Sequence, residues 1–290
     1  MQIGIFAPLA NPYATPEYIK TLGTSVEERG FDSIWVAEHV VLFDEYGSKY
    51  PYAENGKIPV PPGSGMLDPF ASLSYLAACT SRVRLGTGIC LVPQRNPVYT
   101  AKEAATVDWM SNGRFDLGIG VGWLAEEFEA LGVPFERRGA RCRAYIDVMR
   151  TLWCDAVSEY DGEFYTLPPT NQFPKPVQQP HPPIHFGGES DAALRRVADV
   201  GQGWYGFNLE PDQVAERMTR LETLLERRGR KRADVQVSVC PYMIAPSEEL
   251  VRRYRDLGVD RVILVAAAMS PDDLVSALDD LAKMTSVATA

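Results

Sequence analysis

Apolar and polar positions follow two rhythms along the chain. Short β-branched runs, apolar on both faces, are separated by longer segments whose apolar residues return every three or four positions. QIGIF (2–6), SIWVA (33–37), VRLGTGI (83–89) and RFDLGIGVG (114–122) read as strands, followed by PPIHFGG (182–188), GWYGF (203–207), VQVSVC (235–240) and RVILVA (261–266). Helices are expected from about Pro16 to Arg29, from Asp68-Pro69 to about Cys79, from Pro97 to Met110, over LAEEFEALG up to Gly132, and from Glu136 to about Trp153. Further helices are expected at 191–200, at 211–228 with Val214, Met218, Leu221 and Leu225 in helical spacing, at 247–257, and around Leu274, Leu278 and Leu281. Pro16 suits a first helical turn, Asp68 an N-cap and Gly30 a helix stop.

Eight strands, each followed by a helix, imply a parallel sheet. Eight such units in 290 residues predict an α/β fold of the closed (β/α)8 TIM barrel type, which needs about 250 residues. The surplus lies in two insertions rich in Pro, Gly and Tyr, at 40–67 after the second strand and at 154–183 before the fifth. No linker divides the chain, so residues 1–290 read as a single domain. A doubly wound open sheet is the alternative.

Composition narrows the function classes. Hydrophobic residues make up 46% of the chain, enough for a sizeable core, and the formal net charge is -9. Such a balance gives no general attraction to nucleic acid or to an anionic membrane. No segment approaches the roughly 18 apolar residues of a membrane span, and MQIGIFAPLA lacks the charged start and long apolar run of a signal peptide. A cytoplasmic protein is expected. The cysteines at 79, 90, 142, 154 and 240 form no CxxC pair, which speaks against zinc or a disulfide framework. His181 and His185 stand four apart, but prolines at 180, 182 and 183 exclude a helix that would aim both at one metal. No metal is expected.

In a (β/α)8 barrel the active site forms where the strands end. The second strand ends in Glu38-His39, the third in GTGI (86–89), the fourth in GIGVGW (118–123) and the fifth in GGES (187–190). Glycine there admits close approach of backbone to a ligand, although Gly118 could equally relieve crowding inside the barrel. The ends after strands six and seven are aromatic, with Trp204-Tyr205 and Tyr242. GIGVG has the spacing G-x-G-x-G rather than the dinucleotide fingerprint, so a Rossmann site is excluded. Gly187, Gly188, Glu189 and Ser190 precede a helix start and could form an anion site, or Ser190 or Asp191 could simply cap that helix. These features describe a wide pocket suited to a flat polycyclic ligand.

The blocks SIWVAEH, RLGTGI, NPVYTAKEAATVDWMSNGRFDLGIGVGW and PPIHFGG, in that order, resemble the luciferase-like monooxygenase superfamily. EHVVLFDEYGSKYPY and VPQRNPVYTAKE are most similar to its actinobacterial branch that uses the deazaflavin coenzyme F420, while other members of the same barrel use FMN. The resemblance implies a (β/α)8 barrel, a homodimer, and a flavin or deazaflavin ring lying across the strand ends. It implies a non-prolyl cis peptide at Gly88-Ile89 behind the ring, Val121, Gly122 and Trp123 along the ring or its side chain, and Gly187 and Gly188 at the phosphate arm. The branch commonly has Asp before the histidine where this chain has Glu38. Some of its dehydrogenases carry a glutamate proton donor where this chain has Trp123. Glu126 and Glu127, one helical turn on, could cover part of that role.

His39 is the best general acid or base, since imidazole titrates near neutrality, and Glu38 could orient it or bond the ring. Alternation along the strand sends the two side chains to opposite faces, so at most one should point fully into the pocket. Phe43, Tyr46, Tyr50 and Tyr52 of the first insertion would cover the pocket and wall an apolar or aromatic small-molecule substrate. The leading expectation is an F420-dependent oxidoreductase that transfers hydride between cofactor and substrate. An FMN-dependent monooxygenase using dioxygen is the alternative, and a barrel that binds without turnover is a third. The polyglutamate tail of a deazaflavin would favour a basic groove, for which Lys49, Lys57, Arg95 and Arg137-Arg138 are the candidates.

Overall fold

The computed structural model describes residues 1–289, so residue 290 of the expected single domain lies outside the described residues. The strands are β1 (Gln2–Ala7), β2 (Ser33–Val36), β3 (Arg84–Thr87), β4 (Phe115–Ile119), β5 (Ser158–Gly162), β6 (Tyr165–Thr170), β7 (Ile184–Gly187), β8 (Gly203–Phe207), β9 (Gln236–Cys240) and β10 (Arg261–Val265). The α-helices are α1 (Pro16–Glu28), α2 (Pro69–Cys79), α3 (Pro97–Met110), α4 (Ala125–Ala130), α5 (Arg138–Cys154), α6 (Asp191–Val200), α7 (Pro211–Glu226), α8 (Glu248–Asp256) and α9 (Pro271–Thr289).

Eight of the strands close a parallel barrel in the order β1-β2-β3-β4-β7-β8-β9-β10, with β10 returning to β1 from Gln2↔Arg261 to Phe6↔Val265. This is the TIM barrel that the alternating pattern predicts. Local signals set the helix ends as read: Asp68 caps α2 by accepting from Ala71 N at 2.8 Å, and Asn96 caps α3 through Val98 N and Tyr99 N.

The second insertion holds what the pattern misses. β5 and β6 form an antiparallel ribbon outside the barrel, pairing Tyr160 with Leu167 and Gly162 with Tyr165. Pro168 and Pro169 in β6 argue against a central strand, but each strand of a two-stranded ribbon has a free edge where a missing N–H goes unnoticed.

The barrel is filled from its N-terminal end by charge and aromatic rings. Asp116 takes Arg84 Nη2 at 2.5 Å and Arg261 Nη1 at 3.5 Å, while Arg261 Nε reaches Asp32 at 2.9 Å. Trp35 lies above this network, 5.4 Å from the Arg261 guanidinium and 5.5 Å from the His185 ring. A side chain on Gly118 would meet Thr87 O at 2.0 Å, so that glycine serves barrel packing, as one of its two sequence readings holds.

Candidate active site

Above Trp35 the strand ends open into a cavity of about 630 Å³. That is ample for a drug-sized ligand, which typically occupies a pocket of roughly 300–1,000 Å³. The peptide Gly88-Ile89 is cis, where the family resemblance puts it, and both residues line the cavity. The Ile89 side chain forms the floor. A Cβ on Gly120 would stand 2.0 Å from Ile89 Cδ1, and one on Gly187 3.0 Å from the same atom. The glycines ending β4 and β7 therefore make room for Ile89 first, and Ile89 with bare backbone presents a flat apolar surface to the cavity.

Glu38 and His39 both line the cavity, and alternation along β2 turns them apart. Glu38 is buried. One carboxylate oxygen accepts from Leu91 N at 2.5 Å and the other is ion-paired with Arg95, which also holds Glu103 at 2.7 Å. Burial pushes the Glu38 carboxyl up while Arg95 pulls it down, and the carboxylates around Arg95 hold the guanidinium charged against its own burial. Glu38 thus braces the turn after β3 and does not orient its neighbour.

The acid that holds His39 is Glu127, at the start of α4. His39 Nδ1 is 3.1 Å from Glu127 Oε2, which also accepts from Gln94 Nε2 at 3.0 Å. Glu127 Oε1 accepts from Val40 N at 2.7 Å and Val41 N at 3.3 Å. Although burial opposes it, the bonds from His39, Gln94 and Val40 hold the Glu127 carboxyl below its ordinary range. The Gln94 amide and the Val40 and Val41 amides all donate to Glu127 and favour its ionised form, which has no proton to give. It is therefore not the proton donor that its position after β4 suggests.

The first insertion is a fixed wall. Glu126 accepts from Gly47 N at 2.6 Å and Ser48 N at 3.1 Å, so two consecutive carboxylates of α4 tie down residues 40–48. Tyr46 and Tyr50 meet the edge of Trp123 at 5.7 and 5.2 Å, and His39 meets the same indole at 5.8 Å. Tyr52 continues the arc to Phe207 at 4.9 Å, and Phe207 stacks on Tyr242 at 4.7 Å. Phe43 and Tyr46 lie outside the lining, Tyr46 backing Trp123 from behind it, and Trp123 bounds the cavity without filling it. The far end, between Pro8 and Ala14, Val60 and Met66, and Ala267 and Met269, contributes only apolar residues and the Tyr13 and Tyr18 phenols.

Val121, Gly122, Gly187 and Gly188 line the cavity as well, the last with φ +102. Glu189 and Ser190 stand behind them. Ser190 Oγ caps α6 by accepting from Ala193 N at 3.2 Å. Glu189 accepts from Phe207 N at 3.0 Å and the Tyr52 hydroxyl at 3.2 Å, and burial pushes its carboxyl up. The expected basic groove is only partly present: Arg95 is drawn into the Glu38 ion pair, Arg137 bridges to Glu163, and Lys57 covers the Tyr46 ring at 3.8 Å. Arg138 remains beside the cavity, donating to Gly122 O at 3.0 Å. Burial and the neighbouring Arg141 and Arg196 lower its pKa, a local surplus of positive charge that a bound anion would relieve.

A closed parallel barrel with an apolar, backbone-floored cavity and one tethered imidazole at its mouth defines a ligand-binding (β/α)8 enzyme site. The model of the luciferase-like monooxygenase family matches residues 1–279, and the chain belongs to that family. An uncharacterized protein of Mycobacterium tuberculosis is 32% identical over 257 residues, covering 88% of this chain and 89% of its own. Among solved structures, monooxygenase RslO1 from Streptomyces bottropensis superposes with a TM-score of 0.78 at 22% identity over 100% of both chains. An F420-dependent secondary alcohol dehydrogenase, bound to an F420-acetone adduct, superposes with a TM-score of 0.79 at 18% identity over 99% of this chain and 98% of its own. At these identities the two structures establish the fold. Family members act as oxidoreductases or monooxygenases on flavin-type cofactors.

Proposed function

We propose that the protein is an oxidoreductase that transfers hydride between a deazaflavin, coenzyme F420, and an uncharged apolar small molecule. The observation that carries this reading is His39, held at Nδ1 by Glu127, lining a mostly apolar cavity whose floor is Ile89 and bare backbone. The residues fit a planar tricycle: Gly88, Ile89, Val121, Gly122 and Trp123 would flank it, and Gly187 and Gly188 would receive its phosphate arm. Glu189, with burial raising its carboxyl, would tolerate a phosphate nearby, and the Arg138 side of Gly122 would take further negative charge. When bound, such a ring supplies the hydride chemistry. The chain orients the substrate, excludes water with the aromatic arc, and accepts or returns the substrate's oxygen-bound proton at His39 Nε2.

One observation favours the second reading, an FMN-dependent monooxygenase. The cations expected to bind a polyglutamate tail are largely engaged, with Arg95 and Arg137 in ion pairs. The third reading, a barrel that binds without turnover, would gain from a pocket blocked by its own side chains, and the open cavity gives it no such support. Titration of the purified protein with each cofactor, followed by fluorescence, separates the readings. Tight deazaflavin binding is expected, and tight FMN binding without any for the deazaflavin overturns the proposal. A homodimer in the cytoplasm accords with it, and sedimentation tests the dimer.

A further inference from the structure

We infer that Glu127 is the positioning residue of the acid–base group, fixing the tautomer of His39 so that Nε2 meets the substrate as an acceptor. The inference rests on the reading of His39 given above and adds the part that selects its proton. The geometry fixes it in three steps. Glu127 is fully buried, its two oxygens accept from Gln94 Nε2 and from the Val40 and Val41 amides, and Oε2 also lies 3.1 Å from His39 Nδ1. A carboxylate that accepts from three such fixed donors stays ionised, because those hydrogen bonds favour the charged form. An ionised carboxylate only accepts, so the Nδ1 atom 3.1 Å away carries the ring proton and Nε2 keeps its lone pair.

The same carboxylate has no lysine or arginine among its hydrogen-bond donors. A proton arriving at Nε2 would turn the contact between neutral imidazole and carboxylate into an ion pair in place, with no movement of either group. His39 is therefore poised to take the proton from a substrate hydroxyl and return it to a carbonyl oxygen. Glu38, next to His39 in sequence, cannot do this, since its two oxygens are committed to Leu91 N and Arg95.

The full-length protein, labelled with ¹⁵N and ¹³C at histidine, tests this directly, because the chain has only three histidines to assign. Wild type is expected to show neutral His39 as the Nδ1–H tautomer. In Glu127→Gln the side-chain amide can face the ring as a donor, and the pattern is expected to invert to Nε2–H. Glu127→Asp should keep part of the Nδ1–H signal, and Glu126→Gln, which alters only the neighbouring clamp, should leave the His39 pattern as in wild type. A wild-type His39 in the Nε2–H form overturns the inference even if Glu127→Gln does not fold, and so does an unchanged tautomer in a folded Glu127→Gln. Cofactor titration of the same samples keeps the two readings apart. Lost deazaflavin binding with the Nδ1–H form intact removes the function alone, and the reverse result removes the positioning role alone.

Discussion

At the N-terminal end of the barrel His185 Nε2 and Asp116 lie 3.8 Å apart, and at the opposite end His39 Nδ1 and Glu127 are 3.1 Å apart. Both pairs are an imidazole beside a buried carboxylate. At the lower end the carboxylate is shared among Arg84, Arg261 and His185, and both His185 nitrogens are enclosed without a hydrogen-bond partner. At the upper end the carboxylate serves one ring and three neutral donors, and the ring lines a cavity. The same functional groups thus make a plug in one place and a candidate reactive centre in the other. What separates them is a polar atom left facing open space.

The largest expected effect breaks the plug. Asp116→Ala leaves the buried Arg261 and the partly exposed Arg84 without their shared carboxylate, and removing one partner of a buried pair typically costs about 3–5 kcal/mol. Denaturant unfolding should show a loss of that size. A loss under 1 kcal/mol would mean that the lower network is not structural. At the upper end His39→Ala should leave cofactor affinity within a few-fold and cut turnover by roughly 10²–10⁴, the usual contribution of a positioned acid or base. Full activity in that variant would remove the proton role.

Acid sharpens the contrast further, because the closed end is held by carboxylates with depressed pKa values. Glu27 accepts from Ser81 Oγ at 2.6 Å and from the Ser81, Arg82 and Val83 amides. Although burial opposes it, these bonds hold its carboxyl at about 2, against an ordinary 4.5. Against its own burial, Asp116 is likewise held far below its ordinary value by His185, Arg84 and Arg261. A depressed carboxyl contributes stability that is complete above its unfolded pKa and lost as pH falls towards its folded one. The Glu27 and Asp116 contributions should therefore be constant near neutrality and fall below about pH 4.5, with the Glu27 share gone near pH 2. Glu27→Gln should flatten the upper part of that fall. The smallest effect belongs to the wall: Tyr52→Phe removes one hydrogen bond to Glu189 and should cost about 1 kcal/mol, read as a small drop in Tm.

The barrel was legible because its signals are local. The apolar runs at 203–207 and 261–265, Asp68 before Pro69, and the full extent of α3 can be read from a few neighbouring residues. The ribbon of β5 and β6 was hidden by two prolines that a free edge tolerates. Of the site, His39, the glycines and Trp123 were legible because strand ends are where a barrel keeps its chemistry. The partner of His39 was not, since it lies 88 positions away in an acidic run that resembles a solvated helix face. A signal did exist. Glu126 and Glu127 occupy the first turn of a helix that follows a barrel strand, and in this fold that turn lies at the mouth. Arg95 misled for the converse reason, because charge alone does not reveal that Glu38 and Glu103 already claim it.

Ile89 carries one more consequence. Its Cδ1 rests in two sockets, at Gly120 on one side and Gly187 on the other. A side chain at Gly120 would displace the isoleucine tip and one at Gly187 would crowd it, whereas the isoleucine can shrink without disturbing either. The depth of the cavity is thereby a one-residue adjustment: valine or alanine at position 89 would lower the floor while the barrel wall stays as it is. A lineage, or an engineer, seeking room for a bulkier substrate would find that dial already isolated from the machinery around it.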